Sequence, residues 1–117
     1  MEVLGTNDTP TIETGVIAAS GSYTSRAFLA RDIEGDATMQ WTVTGDGEVK
    51  IEVPTSLDGA IFNDIADDIA TVQTKTSGLS GTSQAAFGIP LCDQVKFKFT
   101  ETGGAQSATV VARLRVR

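Results

Sequence analysis

The side chains able to do chemistry are few, and their types narrow the options at once. The chain contains no histidine. The commonest general base, the usual metal ligand and every triad that needs imidazole are therefore absent. Its single cysteine, Cys92, rules out an intrachain disulfide and a cysteine-based metal cage. Following Pro90 and Leu91 at the start of an expected strand, it reads as a small buried hydrophobe. Lys50 and Lys75 fall on wet faces and read as solvated side chains. The carboxylates best placed for glycosidase-type work are Asp64, Asp67 and Asp68, but that reaction needs two of them held across a substrate cleft, and so small a domain has little room for one. Asp32, Glu34 and Asp36 around Gly35 echo a calcium loop. They lack the sustained ligand series and the later bidentate glutamate, so a solvated turn is expected. The chain is expected to be no enzyme, with no cofactor and no metal.

Charge is distributed unevenly along 117 residues. The net charge is −6, yet residues 93–117 hold Lys96, Lys98, Arg113, Arg115 and Arg117 against Asp93 and Glu101. An acidic body argues against nucleic-acid binding, which needs a basic footprint to neutralise phosphates. No apolar run approaches the ~20 residues of a membrane span, and no basic start leads into an apolar core, so neither a membrane partner nor a signal peptide is expected.

The elements that must position these residues read as strands. Met39 to Val53 holds two alternating runs around Gly45–Gly47. Met39, Trp41 and Val43 lie on one face of the first, and Val49, Ile51 and Val53 on one face of the second. A period of two with a glycine-bearing turn predicts a central hairpin, with the lone Trp41 in the core beside Ile51, Phe97 and Phe99. Residues 1–15, with Gly5, Asn7, Asp8 and Pro10, read as an extended N-terminal arm that orders on a partner. Val16–Ala19 and Thr24–Ile33 read as strands. Ile61–Ile69 reads either as a short helix, from its four-residue repeat, or as a loop with apolar anchors. Strand character returns at Val72–Thr76, Ser77–Gln84 reads as a flexible link, and Ala85–Leu91, Asp93–Glu101 and Ser107–Arg117 read as strands.

Seven or eight short strands with turns between them fit an all-β fold. A two-sheet antiparallel β-sandwich, jelly-roll-like, is expected over residues 16–117, with the arm over 1–15. If Asp93–Glu101 and Ser107–Arg117 pair as a hairpin, Lys96, Lys98, Arg113 and Arg115 share one face. Four like charges there form the candidate interaction site.

The order W-x-V at Trp41, then V-K-I-E-V, S-L-D-G-A-I-F at Ser56–Phe62, V-K-F-K-F-T-E-T-G-G at Val95–Gly104 and the closing A-T-V-V-A-R-L resembles small β-sandwich virion proteins of tailed bacteriophages and prophages. The similarity covers about residues 37–117. It implies a virion structural subunit, foremost a capsid decoration or cement protein on the head surface. The partners implied are the major capsid protein or other virion subunits and further copies of the chain, as a homotrimer or another multimer. The alternative is a carbohydrate- or receptor-binding sandwich module of a phage tail or cell surface, which usually works through exposed aromatics.

Overall fold

The computed structural model describes residues 2–5, 9–31, 35–64, 67–73 and 81–116. Among them there is no helix, and twelve strands run in chain order: β1 (Glu2–Val3), β2 (Thr11–Ile17), β3 (Ser22–Thr24), β4 (Phe28–Leu29), β5 (Gly35–Gly45), β6 (Glu48–Val53), β7 (Thr55–Ser56), β8 (Asp67–Gln73), β9 (Gly81–Ile89), β10 (Gln94–Val95), β11 (Lys98–Glu101) and β12 (Ala108–Val116). A front sheet has the order β2-β12-β5-β9 and a back sheet β3-β11-β6-β8, while β1-β4-β10-β7 forms a short sheet of two-residue strands. All pairings are antiparallel except β1 with β4. The expected all-β sandwich is what forms.

Alternation decides the layers. Along β12 every second residue from Ala108 to Val116 is buried, and along β5 the buried set is Ala37, Met39, Trp41 and Val43. Val49, Ile51 and Val53 face them from β6, with Phe99 from β11. Phe28, Val95 and Phe97 close the end of the core, where Phe97 meets Phe28 at 5.9 Å and Phe87 at 6.2 Å between ring centroids. Trp41 is 4% exposed, as expected. Among the described residues its indole N–H is the one buried side-chain polar atom without a partner.

The central hairpin does not form. β5 belongs to the front sheet and β6 to the back, so the chain crosses the core at Asp46–Gly47 rather than folding back along itself. The same holds from β2 to β3, from β8 to β9 and from β11 to β12. Gly45, at φ +97°, lets the crossing run close against the neighbouring one: a Cβ there would sit 2.7 Å from the Ser107 carbonyl oxygen. The Gly47 N–H donates to that same oxygen at 3.1 Å.

The described residues of the expected arm are built into the body, with β1 and β2 paired into sheets, and the boundary at residue 15 falls inside β2. The alternation of Thr-Ile-Glu-Thr buries Ile12 and Thr14 against β12. Leu4 is buried too, its N–H donating to Leu29 O at 2.9 Å. The expected strand over 24–33 is interrupted because Ser25 turns inward. Its N–H donates to Phe97 O, and its hydroxyl accepts the Phe97 N–H. Between Ile61 and Ile69, irregular chain through residue 64 is followed by β8 from Asp67, with residues 65–66 outside the described set. The link expected over 77–84 is strand from Gly81 onward. Residues 32–34, 74–80 and 117 lie outside the description, and with them most of the acidic turn, Lys75 and Arg117.

Trp41→Ala should cost about 3–5 kcal/mol in urea denaturation followed by circular dichroism. Trp41→Phe should lose much less, because it keeps most of the packing and removes the unpartnered N–H. Deleting residues 1–17 strips an edge strand with its buried Ile12 and Ile17. It should lower the melting temperature sharply, whereas a detachable arm would leave it unchanged.

Candidate interaction surface

The four cations expected on one patch are dispersed. Arg113 and Arg115 lie on the outer face of the front sheet, opposite Gln40 and Thr38 of β5. Lys98 lies on the outer face of the back sheet, in register with Thr24 and Glu52. Lys96 sits between β10 and β11 with its ammonium 4.2 Å from the centre of the Phe62 ring. The cause is the crossing just described. β11 and β12 are consecutive but belong to opposite layers, so their outward side chains leave opposite sides of the molecule. Arg113 and Arg115 remain neighbours, and among the described residues neither makes an ion pair. They border a shallow depression of about 400 Å³ together with Thr38, Gln40 and Gln84.

The other candidates lie outside this depression. Asp64, Asp67 and Asp68 are exposed around the start of β8. Lys50 pairs with Glu52 at 3.7 Å. Cys92 is buried, as expected, and that burial, with the Asp93 charge beside it, pushes its thiol pKa up.

The sequence reading passed over Glu101. Its carboxylate is 1% exposed and accepts four backbone N–H groups. Oε1 takes Gly104 at 2.7 Å and Ser20 at 3.1 Å, and Oε2 takes Gly103 at 2.8 Å and Glu48 at 2.9 Å. The Gly104 and Ser20 donors, with Gly103 and Glu48, hold its pKa down at about 2 against the upward push of burial. A buried carboxylate on four donors stays ionised, because each hydrogen bond favours the charged form. The signal in the sequence was a lone Glu at a buried position of β11, followed by Thr-Gly-Gly.

The turn at Ser56–Ile61 is the second built feature. The Ser56 hydroxyl oxygen accepts the N–H groups of Asp58 and Gly59 at 3.3 and 2.9 Å and donates to Asp58 Oδ1 at 3.0 Å. Asp58 Oδ1 also accepts Ile61 N–H at 3.0 Å and Ala60 N–H at 2.8 Å, and these bonds lower its pKa. Gly59 has φ +79°, and a Cβ on it would collide with the Gln94 side chain. Thr55 and Asn63 close the base: Thr55 N–H reaches Asn63 Oδ1 at 2.6 Å, and Asn63 N–H reaches Thr55 O at 3.1 Å. Ser, Asp and Gly are thus each required by the turn. Leu57 is not: it is 82% exposed, and Ile61 is 77% exposed beside it, both bordering a depression of about 380 Å³. The turn holds two aliphatic side chains out in water, where each exposes apolar area that a partner could cover.

No family model matches the chain, and no curated protein matches it in sequence. Solved structures share its fold. Tripeptidyl peptidase 2 aligns with a TM-score of 0.66 at 14% identity, over 99% of this chain and 10% of that one. The CBM22-1–GH10 modules of Clostridium thermocellum endo-1,4-beta-D-xylanase 10B, complexed with xylohexaose, align at 0.55 and 15% identity, over 97% and 25%. The SPBc2 prophage-derived protein YomS aligns at 0.50 and 11% identity, over 92% of each chain. The chain thus spans about a tenth of the peptidase and a quarter of the xylanase chain. At these identities the likeness is one of fold, shared by a peptidase, a xylanase chain and a prophage-derived protein.

Because the Glu101 pKa is depressed from the usual 4.5 to about 2, its contribution to stability is complete above pH 4.5 and is lost as pH falls towards 2. Glu101→Gln, which presents an amide N–H₂ to backbone donors, should melt lower at neutral pH. It should also lack that part of the acid loss in a pH series of thermal melts.

Proposed function

We propose that this protein is a structural subunit of a bacteriophage particle, a decoration or cement protein that seats on the capsid surface and adds contacts between shell subunits. The observation that carries the reading is the Ser56–Ile61 turn. Within the S-L-D-G motif on which the resemblance to phage virion proteins partly rests, three residues build a rigid loop, and the fourth is presented to solvent with Ile61. A preorganised loop with an aliphatic tip suits seating in a pocket of another protein, because little conformational entropy is lost on binding. The fold likeness to a prophage-derived protein of matching length supports the same reading. Arg113 and Arg115, without ion partners among the described residues, supply a second contact area for acidic shell surface, where complementary charge would set orientation and association rate.

A second reading, a glycan-binding module, is favoured by the hydroxyl, amide and guanidinium groups around the front-sheet depression. Against it, no described aromatic side chain lies on that outer face: Trp41 and Phe87 of the front sheet both point inward. Sugar rings would have no platform to stack on.

Leu57→Asp with Ile61→Asp should abolish rebinding to capsids stripped of the protein while leaving the circular dichroism melt unchanged, since both side chains are outside the core. Arg113→Glu with Arg115→Glu should slow rebinding and remove its salt dependence. Undiminished rebinding by the first double variant, together with specific signals on a glycan array, would favour the second reading.

A further inference from the structure

A sandwich of two open sheets has four long edges, and three of them here are blunted. β2 carries Glu13 and a bulge opposite Thr109–Val111, at Gly15 with φ +67°. β3 is three residues long. β8 has two aspartates and a bulge opposite Ile51–Glu52. Charge, shortness and bulges are the devices by which edge strands avoid pairing with other chains.

β9 has none of them. Its nine residues, Gly-Thr-Ser-Gln-Ala-Ala-Phe-Gly-Ile, include no charge and no proline. They pair with β5 without a register shift from Gly35–Ile89 to Val43–Gly81. Among the described residues, β9 is paired on that one side only. In an antiparallel ladder alternate residues turn their N–H and C=O away from the neighbour already bound, so a regular row of donors and acceptors faces outward along β9.

We propose that β9 is the seam of a symmetric homodimer, in which two copies pair antiparallel along this strand about a two-fold axis near Ala85. The occupant that fits is a second copy of the same strand. An uncharged row is complementary to itself, and antiparallel pairing about a two-fold axis satisfies both rows in one closed interface, leaving no β9 edge free to propagate. The two front sheets then join into one continuous sheet with both copies of Arg113 and Arg115 on one face. This inference stands on strand pairing alone and does not depend on the capsid reading. Of the multimers that the family resemblance implies, it selects a dimer over the trimer.

Light scattering after size exclusion, across a dilution series, should give twice the 12.2 kDa chain mass, falling to one chain on dilution. The pairing sets residue 84 of one copy opposite residue 86 of the other. Gln84→Lys with Ala86→Lys, both at exposed positions, therefore opposes like charges across the seam and should give a monomer with an unchanged melt at high dilution. Ala86→Lys alone should give an intermediate dimer population if the double variant folds poorly. Hydrogen exchange should show residues 81–89 protected in the wild-type dimer and partly released in the variants, with β12 amides unaffected. A single-chain mass at every concentration, a trimer, or a dimer that survives both substitutions would overturn the proposal. None of these results bears on capsid rebinding, which the Leu57 and Ile61 variants read separately.

Discussion

One buried carboxylate joins the crossings of this fold. The chain passes directly between the front and back sheets at four places, and Glu101 accepts backbone N–H groups from three of them: Ser20 between β2 and β3, Glu48 after the β5–β6 crossing, and Gly103 and Gly104 between β11 and β12. Crossings leave backbone donors pointing into the end of the core, where no ladder can take them, and an unpaired buried N–H is costly. A carboxylate with two oxygens and about four lone-pair sites meets that need better than a neutral side chain. Its low pKa reports the same geometry, since proton binding would forfeit acceptor strength that four donors already use.

Glycines support that clasp by keeping neighbouring crossings close. Gly45 and Gly47 bring the β5–β6 link against Ser107 and Ala108, and a Cβ on Gly47 would press on Glu101 itself at 3.1 Å. The Thr102 hydroxyl donates to Glu48 Oε1 at 2.7 Å, adding a tie between the same two links. The end of the sandwich is therefore rigid, and the long strands β5 and β12 are held in register from there.

At the other end the Ser56–Ile61 turn uses the same principle on a smaller scale. Side-chain oxygens satisfy local backbone donors, so the loop keeps one shape without packing into the core. Its hydrogen bonds fix its form, and its aliphatic tip stays in solvent. The front sheet adds two further surfaces, the guanidinium pair on its face and the unblunted edge at β9. Shape, charge and open backbone are thus presented at different places on one scaffold.

Much of the architecture was legible in the residues by themselves. Period-two alternation at Met39–Val43, Val49–Val53, Val95–Phe99 and Val110–Val116 identified the core side of each strand, and burial follows it residue for residue. The absence of histidine and the presence of a single cysteine are facts of composition that no folding changes. Partnership between strands was not legible. A hairpin and a layer crossing require the same alternation and the same glycine-rich link, because in both the apolar faces must reach one core; they differ only in which backbone takes the hydrogen bonds. That choice is made by distant segments, with β12 entering between β2 and β5 and β11 between β3 and β6. The expected patch of Lys96, Lys98, Arg113 and Arg115 depended on the choice and was divided by it. The role of Glu101 depended on it too: its four donors come from residues as far away as Ser20, and only the tertiary structure brings them to one carboxylate.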